Sequence, residues 1–255
     1  MELIHPEYVL YMYQVNNLRV KAAEKITHRD ALKYHICRYL ALDYMLKIGA
    51  LEYKLLDIQN KVLKNKRIIE LAEEKNISFN EIEKIIKKEF IENDCKVQLM
   101  SESVQTAIDN SRQKLLSEEE ILEINLYYMT LVRDYSPEIN LKNSEEEKLL
   151  FETIKDKYIS GNLKELKKFE KFEKEELFFD ELEAYKLEKE RLISLIKNLE
   201  EQIVLIKNSF PYTERLEIQD ENLFRRKKDS INKQIEEQES EFEELQKRIQ
   251  KLKNK

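Results

Sequence analysis

Apolar residues recur at mixed steps of three and four along the first part of the chain, among them Leu32, Ile36, Tyr39, Leu40, Leu46, Leu51, Leu55, Ile58 and Val62. Those steps keep side chains on one face of a 3.6-residue repeat. The spacing therefore predicts one long helix over residues 8–72, bent near residues 26–30. Gly49 costs such a helix about 1 kcal/mol relative to Ala. With Ala50 next to it, the pair predicts close approach of a second helix rather than a break. Residues 76–80 then supply a stop and a cap, because the side chain of Ser78 or Asn80 can accept from the free amides of a following helix. That helix runs over 81–93. A more polar stretch at 94–116 keeps a helical stripe in Val97, Met100, Val104 and Ile108.

Ser117-Glu118-Glu119-Glu120 is a capping box: the Ser hydroxyl accepts from the amide three residues on, and Glu120 reaches back. It opens a helix that must end near Tyr135, because Pro137 lacks an amide donor and drives Ser136 out of the helical region. Ser144-Glu145-Glu146-Glu147 repeats the box and opens a helix with Leu150, Phe151, Ile154 and Tyr158 on one face. Gly161 closes it, as a left-handed residue at a helix C-terminus commonly does. Further on lie two narrow seams. Leu182, Tyr185, Leu192, Leu195, Leu199, Ile203 and Ile206 form one; Ile231, Ile235, Phe242, Leu245, Ile249 and Leu252 form the other, with Gln238 at an apolar position. Asn208-Ser209-Phe210-Pro211 separates them. Two such seams predict an antiparallel coiled-coil hairpin whose register Gln238 helps to fix.

Composition sharpens this picture. Charged residues are 38% of the 255, and there are only two glycines and three prolines. Average chains carry about 25% charged residues, and glycine's access to positive φ underlies tight turns and phosphate-cradling loops. Sheet-rich folds and Gly-loop nucleotide sites are excluded. The fold class is all-α: an elongated helical bundle with segments 1–116, 117–161 and 162–255. The net charge of −6 has its signs interspersed, which disfavours nucleic acid as a partner. The run Arg225-Arg226-Lys227-Lys228 reads as a solvated patch. Apolar runs stay short of the ~20 residues that span a bilayer, so no membrane partner and a cytoplasmic location are expected.

Residues 117–159 resemble the central hairpin of the J-domain, the DnaJ-related co-chaperone module. The resemblance rests on Tyr128, Leu131 and Tyr135 before the loop, Ser136-Pro137-Glu138 in it, and Phe151, Ile154 and Tyr158 after it. A group of bacterial J-domain-like proteins with long helical flanks is similar over more of the chain. The matching segments are 44–52, Ser160-Gly161-Asn162-Leu163 and Ser209-Phe210-Pro211. The family stimulates ATP hydrolysis by an Hsp70 through a His-Pro-Asp loop and a basic preceding helix. The resemblance thus places partner contacts at Arg133, Tyr135, Ser136, Pro137 and Glu138. Here Ser136 replaces the His and Glu138 the Asp. The preceding helix carries Glu118, Glu119, Glu120, Glu123 and Asp134 against Arg133, which inverts attraction to an acidic surface. The expectation is a J-like helical adaptor or scaffold, not an enzyme, without ordinary Hsp70 stimulation. The alternative is an active co-chaperone of a dedicated Hsp70.

Little else suggests chemistry. His28 and His35 lie seven apart near Cys37, but no metal-ligand spacing surrounds them or His5. No cofactor is expected, and the two isolated cysteines suggest no disulfide framework. Seams that paired across two chains would give a homodimer.

Overall fold

Three helix starts are fixed by the boxes that the sequence spells. Ser78, Ser117 and Ser144 each sit in extended backbone and accept from the amide three residues on, while Glu81, Glu120 and Glu147 reach back to the cap amides. The computed structural model describes residues 6–74, 77–111, 115–169 and 181–254; His5 and Asn76, singled out above, lie outside them. Every regular element among these residues is helical.

Helical structure is unbroken from residue 6 to residue 74. It comprises α1 (Pro6–Ala31), a π-helical turn (Leu32–Ile36), α2 (Cys37–Tyr44), a second π turn (Met45–Gly49) and α3 (Ala50–Glu74). The regular helix is not interrupted at 26–30, where the sequence placed a bend: α1 continues through Ala31, and the two π turns come after it. There follow α4 (Phe79–Glu89), α5 (Ile91–Asn110), α6 (Glu118–Tyr135), α7 (Glu145–Ile159), α8 (Leu163–Phe169), α9 (Leu182–Lys207), α10 (Arg215–Gln219) and α11 (Glu221–Lys253). Phe90 divides α4 from α5, three residues before the expected junction.

Two compact units are built from non-consecutive segments, Met1–Tyr39 with Leu115–Thr213 and Leu40–Lys114 with Glu214–Lys255. These differ from the expected segments 1–116, 117–161 and 162–255, because each C-terminal helix finds its partner in the N-terminal stretch. In the first unit α9 lies along α1 and in the same direction. Tyr8 meets Tyr185 edge-on at 5.0 Å, Lys189 sits over the Tyr11 ring, and Lys25 pairs with Glu200. In the second unit α11 runs likewise along α3, with Lys54 on Glu239 and Arg248 on Glu73. The antiparallel coiled-coil hairpin is corrected accordingly. Leu192 and Leu199 of one seam, and Ile231, Ile235 and Ile249 of the other, are buried beneath different partners. A narrow leucine–isoleucine stripe accepts any complementary stripe, and the N-terminal helices offer one to each.

The first unit's core gathers Val15, Ala22 and Ile26 of α1, Ile124, Tyr128 and Val132 of α6, Phe151, Ile154 and Tyr158 of α7, Leu166 of α8, and Leu192 and Leu199 of α9. Tyr128 stacks on Tyr158 at 3.8 Å and 10°. Such pairs contribute about 0.5–1.5 kcal/mol beyond the area they bury. After α7, Gly161 adopts φ 69°, its amide donates to the Tyr158 carbonyl, and the Asn162 amide donates to Lys157. That is the paired closure that a left-handed glycine permits.

In the second unit Leu71, Ile82 and Ile86 form a core between α3 and α4. At Gly49, where the sequence predicts close approach of a second helix, the crowding comes from the same helical stretch and the contact with α5 is an ordinary one. A Cβ there would lie 2.7 Å from Met45 Sδ and 3.6 Å from Val104 of α5.

Candidate functional site

The turn between α6 and α7 is the one segment for which the sequence suggested a function, and proline chemistry sets its geometry. Ser136 ends α6 at φ −62°, ψ 126°, the extended conformation imposed by a following Pro. Its amide still donates to Val132, and its carbonyl accepts from Ile139 and Asn140 at 3.1 and 2.8 Å. Its hydroxyl accepts from the Glu138 amide at 3.3 Å. The residue is fully buried. Pro137 and Glu138 are half-buried, and Tyr135 belongs to the core. The tripeptide is thus folded in against the unit.

A helix end leaves carbonyls without partners. Asn140 and Asn143 fill that need. Asn140 Nδ2 lies 3.0, 3.0 and 3.2 Å from the carbonyls of Arg133, Asp134 and Ser136, and Asn143 Nδ2 donates to Tyr135 at 2.7 Å. Arg19 of α1 donates to Asn140 Oδ1. Burial pushes that guanidinium below its usual range, and the charges of Glu188 and Asp134 partly offset the effect.

Two further arginines clamp the turn from outside. Arg29 of α1 donates to both Glu138 carboxylate oxygens, at 2.8 and 2.9 Å, and through Nε to Asp30 at 2.9 Å. Asp30, itself buried, also accepts from the Tyr128 hydroxyl at 2.9 Å. Burial opposes the charge on Arg29, but the bonds to Glu138 and Asp30 overcome it and hold the group above its ordinary value. Burial, with the Asp30 charge beside it, drives the Tyr128 phenol far upward. Arg191 of α9 donates to the Glu138 and Ile139 carbonyls at 2.9 and 2.6 Å and pairs with Glu188. Backbone and side chain of the tripeptide are therefore both occupied.

Comparison with protein-family models, curated proteins and solved structures finds no match to this chain. The J-domain resemblance consequently rests on the residues quoted for it.

Of those residues, Tyr135, Ser136, Pro137 and Glu138 come together in the turn, whereas Arg133 is exposed and pairs with the adjacent Asp134 at 2.7 Å. Sequence reasoning missed Arg19, Arg29, Asp30 and Arg191, which lie more than 50 residues from the turn and carry no local signal. Asn140 and Asn143, directly after the proline, were readable as cap donors.

His35 packs its ring edge-on against Tyr158 at 4.7 Å, and its Nε2 is buried without a protein partner. Burial and the Arg38 charge both push the imidazole below its usual range. Among the described residues no group of three or more His, Cys, Asp or Glu is placed to hold a metal ion, and no helix is long and apolar enough to cross a membrane. The basic run near the start of α11 is divided. Lys227 turns to Glu214 and Glu217, Arg225 pairs with Glu221, and Arg226 and Lys228 are exposed.

Proposed function

We propose that the chain is a non-enzymatic helical adaptor in which a degenerate J-like turn serves as an internal latch rather than as a trigger for an Hsp70. One observation carries this reading: Arg29 takes the whole Glu138 carboxylate while Arg191 takes the turn's carbonyls. A free carboxylate and accessible backbone, which recognition of an ATPase partner would use, are engaged inside the unit. The Tyr128–Tyr158 stack supports treating residues 117–159 as a J-like hairpin, since the Phe-x-x-Ile-x-x-x-Tyr stripe faces the first helix.

The adaptor surface in this reading is the outer side of α6. Leu122 and Leu126, one turn apart, are each about two-thirds exposed among the exposed Glu118, Glu119 and Glu123. That combination suits a protein partner that presents apolar residues rimmed by Lys or Arg. An Hsp70 from the same cell is expected to turn over ATP at its basal rate with the full chain present. Severalfold stimulation that is lost in Ser136→Ala and Pro137→Ala variants would instead establish an active co-chaperone and end the adaptor reading.

A further inference from the structure

An open cleft of about 550 Å³ on the first unit is walled by α1 and its π turn, α7, α9 and the edge of the latched turn. Its volume falls in the range of small-molecule sites. π turns occur frequently where helices carry function, and this one contributes two wall residues, Lys33 and Tyr34. Lys155 enters from α7. The two ammonium groups come from different helices, yet they stand 5.2 and 6.0 Å from the centroid of the same Tyr34 ring. Neither has a carboxylate partner among the described residues.

The remaining charges in the cleft offset them only in part. Asp30 and Glu138 are both turned onto Arg29, and that hydrogen-bonded trio carries one negative charge in excess. With Lys33 and Lys155 added, the charged lining of the cleft sums to one positive charge on a chain whose net charge is negative. The lining also includes an apolar pair from α9, Leu205, two-thirds exposed, and the half-buried Ile206. Two convergent cations in one cleft with an exposed aliphatic pair are complementary to an anion that carries an apolar body.

We propose that this cleft binds a small organic anion, with its phosphate or carboxylate head between Lys33 and Lys155 and its apolar body against Leu205 and Ile206. The site is independent of the adaptor reading and requires no opening of the latch. Charge-assisted bonds to the head supply most of the selectivity, and low ionic strength strengthens binding.

The test is a fluorescence titration of the full chain with naphthyl phosphate, with inorganic phosphate and naphthoate as competitors. Saturable one-to-one binding is expected, and naphthoate should displace the probe. Lys33→Gln/Lys155→Gln should weaken binding about tenfold or more, equivalent to about 1.4 kcal/mol. Leu205→Glu, at an exposed position, should weaken it comparably by setting a carboxylate against the bound anion. Lys186→Gln/Lys189→Gln removes a similar pair of ammonium groups over Tyr11, outside the cleft, and should leave affinity within about twofold. Absence of saturable binding overturns the proposal, as does equal affinity in the Lys33/Lys155 variant. Loss in the Tyr11-side control as large as in the cleft variant also overturns it. So does inorganic phosphate competing as well as naphthyl phosphate, because the apolar wall would then contribute nothing.

Discussion

Removing Arg29 separates a buried ion pair from an exposed one within a single network. The Asp30 side chain is 3% exposed, Arg29 is 13% exposed and Glu138 is 38% exposed. In Arg29→Ala the Asp30 carboxylate keeps only the Tyr128 hydroxyl, in a site that water barely reaches. Removing one partner of a buried pair costs about 3–5 kcal/mol, because the other charge stays behind without compensation. Glu138, released at the same time, rehydrates and adds little. Glu138→Gln therefore costs at most ~1 kcal/mol, the ordinary range for a pair open to solvent, since Arg29 keeps its bond to Asp30. Asp30→Asn should fall between, at about 1–3 kcal/mol, because the amide oxygen still accepts from Tyr128. Arg29→Ala combined with Asp30→Asn should cost clearly less than the two single changes added together. Urea unfolding followed by near-UV circular dichroism reports the tyrosine-rich first unit directly. An Arg29→Ala protein within 1 kcal/mol of wild type, or Glu138→Gln as damaging as Arg29→Ala, would refute this ranking.

Two other expectations concern groups near the same core. The folded-state pKa of His35 lies below its unfolded value near 6.5, so the unfolded chain binds the extra proton. Stability is complete above that value and falls as pH drops below it, by at most ~1.4 kcal/mol per pH unit. His28, lowered by burial and by Lys207 and Lys25, adds in the same direction. Urea midpoints between pH 7.5 and 5 should fall less steeply in His35→Leu than in wild type, and parallel slopes would remove His35 from the account. Gly161→Ala should cost roughly 1–2 kcal/mol from the left-handed backbone alone, and more where the new methyl meets Leu116 at 3.0 Å. A thermal midpoint unchanged from wild type would show that the turn after α7 reorganises freely.

How much of this was legible in the sequence depended on how far each determinant reaches. The Ser117/Glu120 and Ser144/Glu147 boxes, the stop at Pro137 and the Gly161 closure each involve residues within a few positions of one another, and local chemistry fixed them. The seams of α9 and α11 were visible as stripes, but periodicity encodes only that a face is apolar and not which face covers it. Pairing them with each other was the shortest connection and was incorrect. The turn at 136–138 was located correctly, but its burial was not legible. The guanidiniums that close on it, from Arg29 and Arg191, stand 109 and 53 positions from Glu138, and no spacing rule links an arginine to a carboxylate at that distance. The two π turns left no composition mark of their own.

Stitching α1 to helices encoded much later has a consequence during synthesis. The apolar face of Val15, Ala22, Ala23 and Ile26 leaves the ribosome early, while α9, which covers it, begins at Leu182. At about 5–20 residues per second, that face waits on the order of ten to thirty seconds uncovered in the nascent chain. Val9, Leu10 and Tyr13 stay exposed even in the folded chain, so through that interval α1 presents apolar side chains on more than one side.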